Sequence, residues 1–135
     1  PGRGQSAWTL LEARPQRRQE AFLLVDTHDG IAWPVTTDGT TGDAVDLGLG
    51  RGQEWSGGGK SVVSDICFDP DRGYWIIHYP EIGKPGDLYE LTHDFEHVQR
   101  WSLEDMFVGQ VYVTPSSKLL LINGHGSVMY VLNKP

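Results

Sequence analysis

A chain of 135 residues with 39% hydrophobic and 21% charged residues has the size of one domain and enough apolar material for a core, which excludes disorder on composition. Its formal net charge of −7 disfavours nucleic-acid binding, which needs clustered cations, and the one basic cluster (Arg14, Arg17 and Arg18) is short, sits beside a proline and reads as a solvated loop. No run approaches the ~18 apolar residues of a membrane span, and no signal peptide is visible.

Along the chain, helical periodicity is nearly absent, and strand-like runs recur instead. Ala7 to Leu11 comes first, then Ala21 to Asp26; His28-Asp29-Gly30 turns into Ile31 to Val35, and Asp38-Gly39 leads to Ala44 to Leu47. After a glycine-rich stretch come Ser61 to Phe68, Tyr74 to Tyr79, Asp87 to Leu91 and Val98 to Leu103, with a short helical turn expected around Ser102 to Met106. The last runs are Gln110 to Val113, Leu119 to Ile122 and Val128 to Leu132. Many are β-branched or aromatic, and the 17 Gly and 8 Pro fall between them, as in a protein of short strands and tight turns. The expected class is all-β over a single domain, 1–135. A propeller is expected, with a sandwich or barrel as the alternative. Cys67, the lone cysteine, lies inside an apolar run, where a small buried thiol is expected and no disulfide is needed.

The middle of the chain chooses among all-β architectures. Ser64 to Phe68, the turn Asp69-Pro70-Asp71-Arg72-Gly73, Tyr74 to Ile77, Gly86 to Leu91, the turn His93-Asp94-Phe95-Glu96 and Val98 to Leu103 read as four antiparallel strands in about 45 residues, the content of a propeller blade. This stretch resembles six-bladed propellers of the NHL and YVTN type, whose first hairpin often carries an Asp-Pro-Asp-Gly turn; here Arg72 is inserted before Gly73. Residues 108–132 repeat the theme with Thr114-Pro115-Ser116-Ser117 as the turn, and residues 20–49 repeat it more loosely. At that spacing the chain holds three blade-like units, about 20–49, 61–105 and 108–132, fewer than the roughly four to eight that close a ring. The last unit lacks its fourth strand and strand 7–11 is left over, so that strand is expected to complete the last blade, of the same chain or a neighbour's. Two chains would then make six blades, a homo-oligomer; the other reading is a section of a longer chain. The chain opens at Pro1 rather than methionine, as a processed product or a fragment would.

Motifs that suggest chemistry meet plainer readings. Gly57-Gly58-Gly59-Lys60-Ser61 ends like a phosphate loop, but Glu54 stands where the loop's first glycine belongs and a strand follows instead of a helix. Gly48-Leu49-Gly50-Arg51-Gly52 is no dinucleotide fingerprint. His93 and His97 have the spacing that converges on a metal from a helix face, but from a hairpin tip their side chains diverge. Asp38 to Asp43 and Asp69 to Asp71 offer oxygen ligands without the spacing of a calcium loop. The catalytic candidates are His78, Glu81, Asp65 and His125, which general acid–base work would require to converge on one pocket.

Gluconolactonase-like propellers hold a metal with acidic and Asn ligands, and no set here matches them position for position. Of the five tryptophans, Trp33, Trp75 and Trp101 lie in or beside strands, as core residues do. Trp55 alone sits in the glycine-rich loop, as a contact for a sugar ring or a protein partner would. The expected function is therefore a non-enzymatic binding or scaffold module that recognises a protein or glycan through its loops, with no cofactor. The alternatives are a metal-dependent propeller hydrolase or lactonase and a structural component of a larger assembly.

Overall fold

The computed structural model describes residues 8–12, 20–49, 62–80 and 84–135. These residues form eleven strands and no helix: β1 (Trp8–Glu12), β2 (Glu20–Asp26), β3 (Ile31–Thr36), β4 (Val45–Asp46), β5 (Val62–Asp69), β6 (Gly73–Tyr79), β7 (Asp87–Leu91), β8 (His97–Ser102), β9 (Val108–Val113), β10 (Leu119–Asn123) and β11 (Met129–Leu132). The all-β reading holds. Neighbouring strands are antiparallel throughout, in three sheets: β1-β2-β3-β4 (sheet 1), β5-β6-β7-β8 (sheet 2) and β9-β10-β11 (sheet 3).

Short polar side chains close the turns by accepting backbone N–H groups that the ladders leave over. Asp26 Oδ1 accepts from the amides of His28 and Asp29 at 3.0 and 3.1 Å. Asp38 Oδ1 accepts from the Thr40 amide at 3.0 Å and from the Thr36 hydroxyl. Asp69 Oδ1 takes the Asp71 amide at 2.9 Å, and Thr92 Oγ1 takes those of Asp94 and Glu96 at 3.3 and 3.1 Å. These are the local bonds that make Asp and Thr good turn residues. The stretch around Ser102 to Met106 is a turn rather than a helical one: the Met106 amide reaches the Leu103 carbonyl at 2.9 Å and Glu104 has φ 46°. At Gly73 the backbone has φ 134°, and a Cβ would come within 2.1 Å of the Leu91 carbonyl oxygen, so only glycine lets β6 start so close to the end of β7.

Sheet 2 lies between the other two. Alternate β6 residues point to opposite faces, as strand geometry requires. Tyr74 and Ile76 join Leu23, Val25, Ala32 and Leu47 in a core shared with sheet 1, whereas Trp75 and Ile77 join Val108, Val111, Leu119 and Leu121 in a core shared with sheet 3. Coverage on both faces is why β6 reads as an unbroken apolar run. Cys67 is buried in the second core, and burial, with the charges of Asp65 and Asp69, pushes its thiol up to about 12. Among the described residues, close backbone approach between sheets involves β1, β5, β6 and β9: β1 lies by β5, and β9 lies by β5 and β6. The outer strands diverge.

One expectation is overturned. Strand 7–11 was expected to complete the last unit, but β1 pairs with β2 from Trp8↔Asp26 to Glu12↔Phe22 and is the first strand of sheet 1. The nearest run of complementary strand, β2, follows β1 in sequence and captures it. Sheet 3 therefore has three described strands.

Candidate functional site

Two turns and the C-terminal residues meet around Trp75. Its indole N–H donates to Asp69 Oδ2 at 2.8 Å, the same oxygen that Lys134 Nζ approaches at 2.7 Å. The Arg72 guanidinium lies 5.1 Å from the Trp75 ring centre and forks onto Glu90, Nε to Oε2 at 2.8 Å and an Nη to Oε1 at 2.7 Å; the same Nη donates to the Pro135 carbonyl at 2.9 Å. Gln99 adds a bond to Glu90 Oε1 at 2.9 Å. Burial by itself would raise the Asp69 carboxyl, but the hydrogen bonds from Lys134, Trp75 and the Asp71 amide outweigh it and hold the group below its ordinary value. Paired and fully bonded, these charges anchor residues 133–135 to sheet 2. Arg72, which in sequence is only an insertion into the Asp-Pro-Asp-Gly pattern, is the residue that reaches Glu90.

The catalytic candidates do not come together. Asp65 pairs with Ile77 in the ladder and so faces sheet 3, where its Oδ2 accepts the Val111 amide at 2.9 Å. Burial raises its carboxyl, partly offset by the amides of Val111 and Ile66. His78 lies on the opposite face with Tyr74 and Ile76, edge-on to Tyr89 at 5.9 Å. Burial, helped by the nearby Arg100 charge, lowers its imidazole to about 4, and its Nδ1 has no hydrogen-bond partner among the described residues. A neutral, enclosed imidazole on one face cannot share a proton with a carboxylate on the other. His125 is exposed in the β10–β11 turn of sheet 3. Glu81 lies outside the described residues, and so do Trp55 and the glycine-rich stretch 57–61.

His93 and His97 separate as well. His93 packs on Phe68 with ring centres 5.4 Å apart, whereas His97 Nε2 is bonded to the Leu47 carbonyl at 2.8 Å and its ring stands edge-on to Tyr89. Since a carbonyl only accepts, that nitrogen carries the proton and is committed. Gly48 leaves the room for it: a Cβ there would lie 2.8 Å from His97 Nε2. Among the described residues no group of three or more His, Cys, Asp and Glu side chains could hold a metal ion. The Asp38 carboxylate, held down to about 2 by the Thr36 hydroxyl and the Thr40 amide, is likewise engaged in its own turn.

Sheet 3 carries the surfaces that sequence reading missed. Its register places Tyr112, Leu120 and Val131 in one row across the sheet and Gln110, Ile122 and Met129 in the next on the same face, turned away from sheet 2. Tyr112, Met129 and Val131 are 45%, 65% and 59% exposed. The opposite face, with Leu119, Leu121 and Leu132, borders a cleft of about 280 Å³ that opens between the outer strands of sheets 2 and 3. Leu88, Trp101, Leu103 and Met106 form its other wall. The signal was the unbroken run Leu119 to Ile122, apolar on both faces where only one has a covering sheet. Among the described residues no helix is long and apolar enough to cross a membrane.

No family model matches this chain, and no curated protein matches it. The crystal structure of a protein of unknown function from Bacteroides caccae is similar over 100% of this chain and 48% of its own, with a TM-score of 0.51 and 11% sequence identity. The likeness is one of fold, and this chain spans about half the length of that neighbour.

Proposed function

We propose that the chain is a non-enzymatic binding or scaffold module of β-propeller type. In this reading it is an arc of three blades that associates through the outward face of sheet 3 and offers its loops to a protein or glycan. Each sheet is an up-and-down meander, the chain passes from the last strand of one sheet to the first of the next, and the backbones converge around β1, β5 and β9. These features support the blade reading and its resemblance to NHL and YVTN repeats. The observation that carries the association is the row of Tyr112, Leu120 and Val131 beside Ile122 and Met129, an apolar sheet face without a covering layer among the described residues. Such a face is the usual mark of a contact surface.

A second copy is the simplest occupant, since the end faces of two arcs could then cover one another. The test is the native mass by light scattering, for the wild type and for the double variant Met129→Lys/Val131→Lys. The reading expects the wild type to exceed the 15.0 kDa of one chain and the variant to return to it with unchanged circular dichroism. A wild type that stays at one chain mass at every concentration would refute the self-association.

A further inference from the structure

β10 ends in Asn123, and Gly124 follows it. Asparagine is a labile residue, and most so before glycine, because no side chain there shields the next backbone nitrogen. In an unconstrained chain the Gly124 nitrogen gives its proton to a base and attacks Cγ of Asn123. The new C–N bond closes a cyclic imide, and Nδ2 leaves as ammonia. Water then opens the ring at either carbonyl, leaving aspartate or isoaspartate. Water is the only reagent consumed.

The fold ties up both partners of that reaction. The Gly124 amide donates to the Phe107 carbonyl at 2.6 Å. Phe107 lies in the connection between β8 and β9, so the attacking nitrogen is held from outside its own hairpin. The Asn123 side chain is turned into the β10–β11 turn instead. Its Oδ1 accepts the amides of Ser127 and Val128 at 2.9 and 3.3 Å, and its Nδ2 donates to Ser127 Oγ at 3.2 Å. The register of β9 against β10 shifts between Ile122 and Asn123. Here the backbones run so close that a Cβ on Gly109 would lie 3.1 Å from Gly124 Cα. A nitrogen committed to Phe107 and a Cγ fixed by Ser127 and Val128 react only after a local opening breaks those bonds.

We infer that Asn123 is a latent modification site, kept as the amide by the Phe107–Gly124 bond and by its own turn, and deamidated by water only when that turn opens. The modification is then a covalent record of opening between the β10–β11 turn and the β8–β9 connection. Closing the turn does not undo it. An aspartate cannot donate to Ser127 Oγ, and an isoaspartate adds a methylene to the backbone just after the Ile122↔Met129 pair, which shifts where β11 begins. The inference needs no partner molecule and is independent of the association proposed above.

The test is incubation of the full chain in mildly alkaline buffer, with and without urea. The peptide that spans Asn123 is followed by mass spectrometry that separates isoaspartate from aspartate. The folded chain should deamidate about tenfold or more slowly than the unfolded one. Gly109→Ala places a Cβ against Gly124 Cα, and Ser127→Ala removes the acceptor of Nδ2. Each should raise the folded rate severalfold while leaving the rate in urea unchanged. If Gly109→Ala does not fold, Ser127→Ala carries the comparison. Gly124→Ala, whose Cβ would meet the Phe107 carbonyl oxygen at an ordinary 3.8 Å, should slow the reaction in urea. Equal rates in folded and unfolded protein, or a folded rate that neither variant changes, overturn the inference. A Gly124→Ala chain that deamidates in urea as fast as wild type would overturn the attack by the Gly124 nitrogen.

Discussion

The indole N–H of Trp75 donates to Asp69 Oδ2 at 2.8 Å, in a place where both side chains are fully buried. Lys134 supplies the compensating charge from 65 residues away, at 2.7 Å from the same oxygen. The pair therefore ties sheet 2 to the residues that follow β11.

Removing the two members should have unequal costs. Asp69→Ala leaves the Lys134 ammonium, which is 8% exposed, without its carboxylate and the Trp75 N–H without an acceptor; about 3 kcal/mol of stability should be lost. Lys134→Ala leaves Asp69 with the Trp75 and Asp71 donors and should cost about 1–2 kcal/mol. Urea unfolding of both variants gives the comparison. Equal losses would show that the charge on Lys134, not the buried carboxylate, controls the site.

His78 gives the protein a pH dependence of defined sign. Folded, burial holds its imidazole down to about 4; unfolded, it returns to the ordinary 6.5. Between those values the unfolded chain takes up the proton and the folded chain does not, so this group makes stability fall as pH drops from 6.5 to 4. The full effect is about 3 kcal/mol. Asp65 and Asp87 are raised by burial and act in the opposite sense, because the folded state protonates them first. His78→Phe should therefore flatten the loss below pH 6.5, measured by urea unfolding across that range. A variant whose stability still falls as steeply as the wild type would place the proton elsewhere.

Gly73→Ala tests the start of β6. Its Cβ would press on the Leu91 carbonyl and the Thr92 backbone at a φ that side chains rarely adopt. A loss above about 3 kcal/mol, or no folded protein, is expected. Gly39→Ala, also at positive φ but in open space, should cost far less. Similar losses at both sites would mean that φ, rather than the close approach, is what requires glycine.

Much of this fold was legible locally. β-Branched and aromatic runs marked the strands, and Asp29-Gly30 and Asp38-Gly39 marked turns that the structure closes with Gly30 and Gly39 at positive φ. What stayed hidden is non-local. Nothing around Trp8 to Glu12 says that β2, rather than the edge of β11, will pair with it, because a strand's partner is set by the competing edges and not by its own sequence. The Arg72–Glu90 and Asp69–Lys134 pairs span 18 and 65 residues, and no spacing rule reaches that far. Whether the candidates His78 and Asp65 share a pocket is decided by the β5–β6 register, which puts them on opposite faces of a single sheet. The open face of sheet 3 was present in Leu119 to Ile122, but a fully buried strand and a strand awaiting a partner read alike in sequence.

The most direct test of that open face is the rate at which hydrogen peroxide oxidises Met129, followed by mass spectrometry of its peptide over a range of protein concentrations, with Met106 as the half-buried reference. The account predicts that Met129, 65% exposed on the single chain, is protected at high concentration and becomes reactive on dilution. Oxidation of Met129 at the rate of an exposed methionine at every concentration would contradict it.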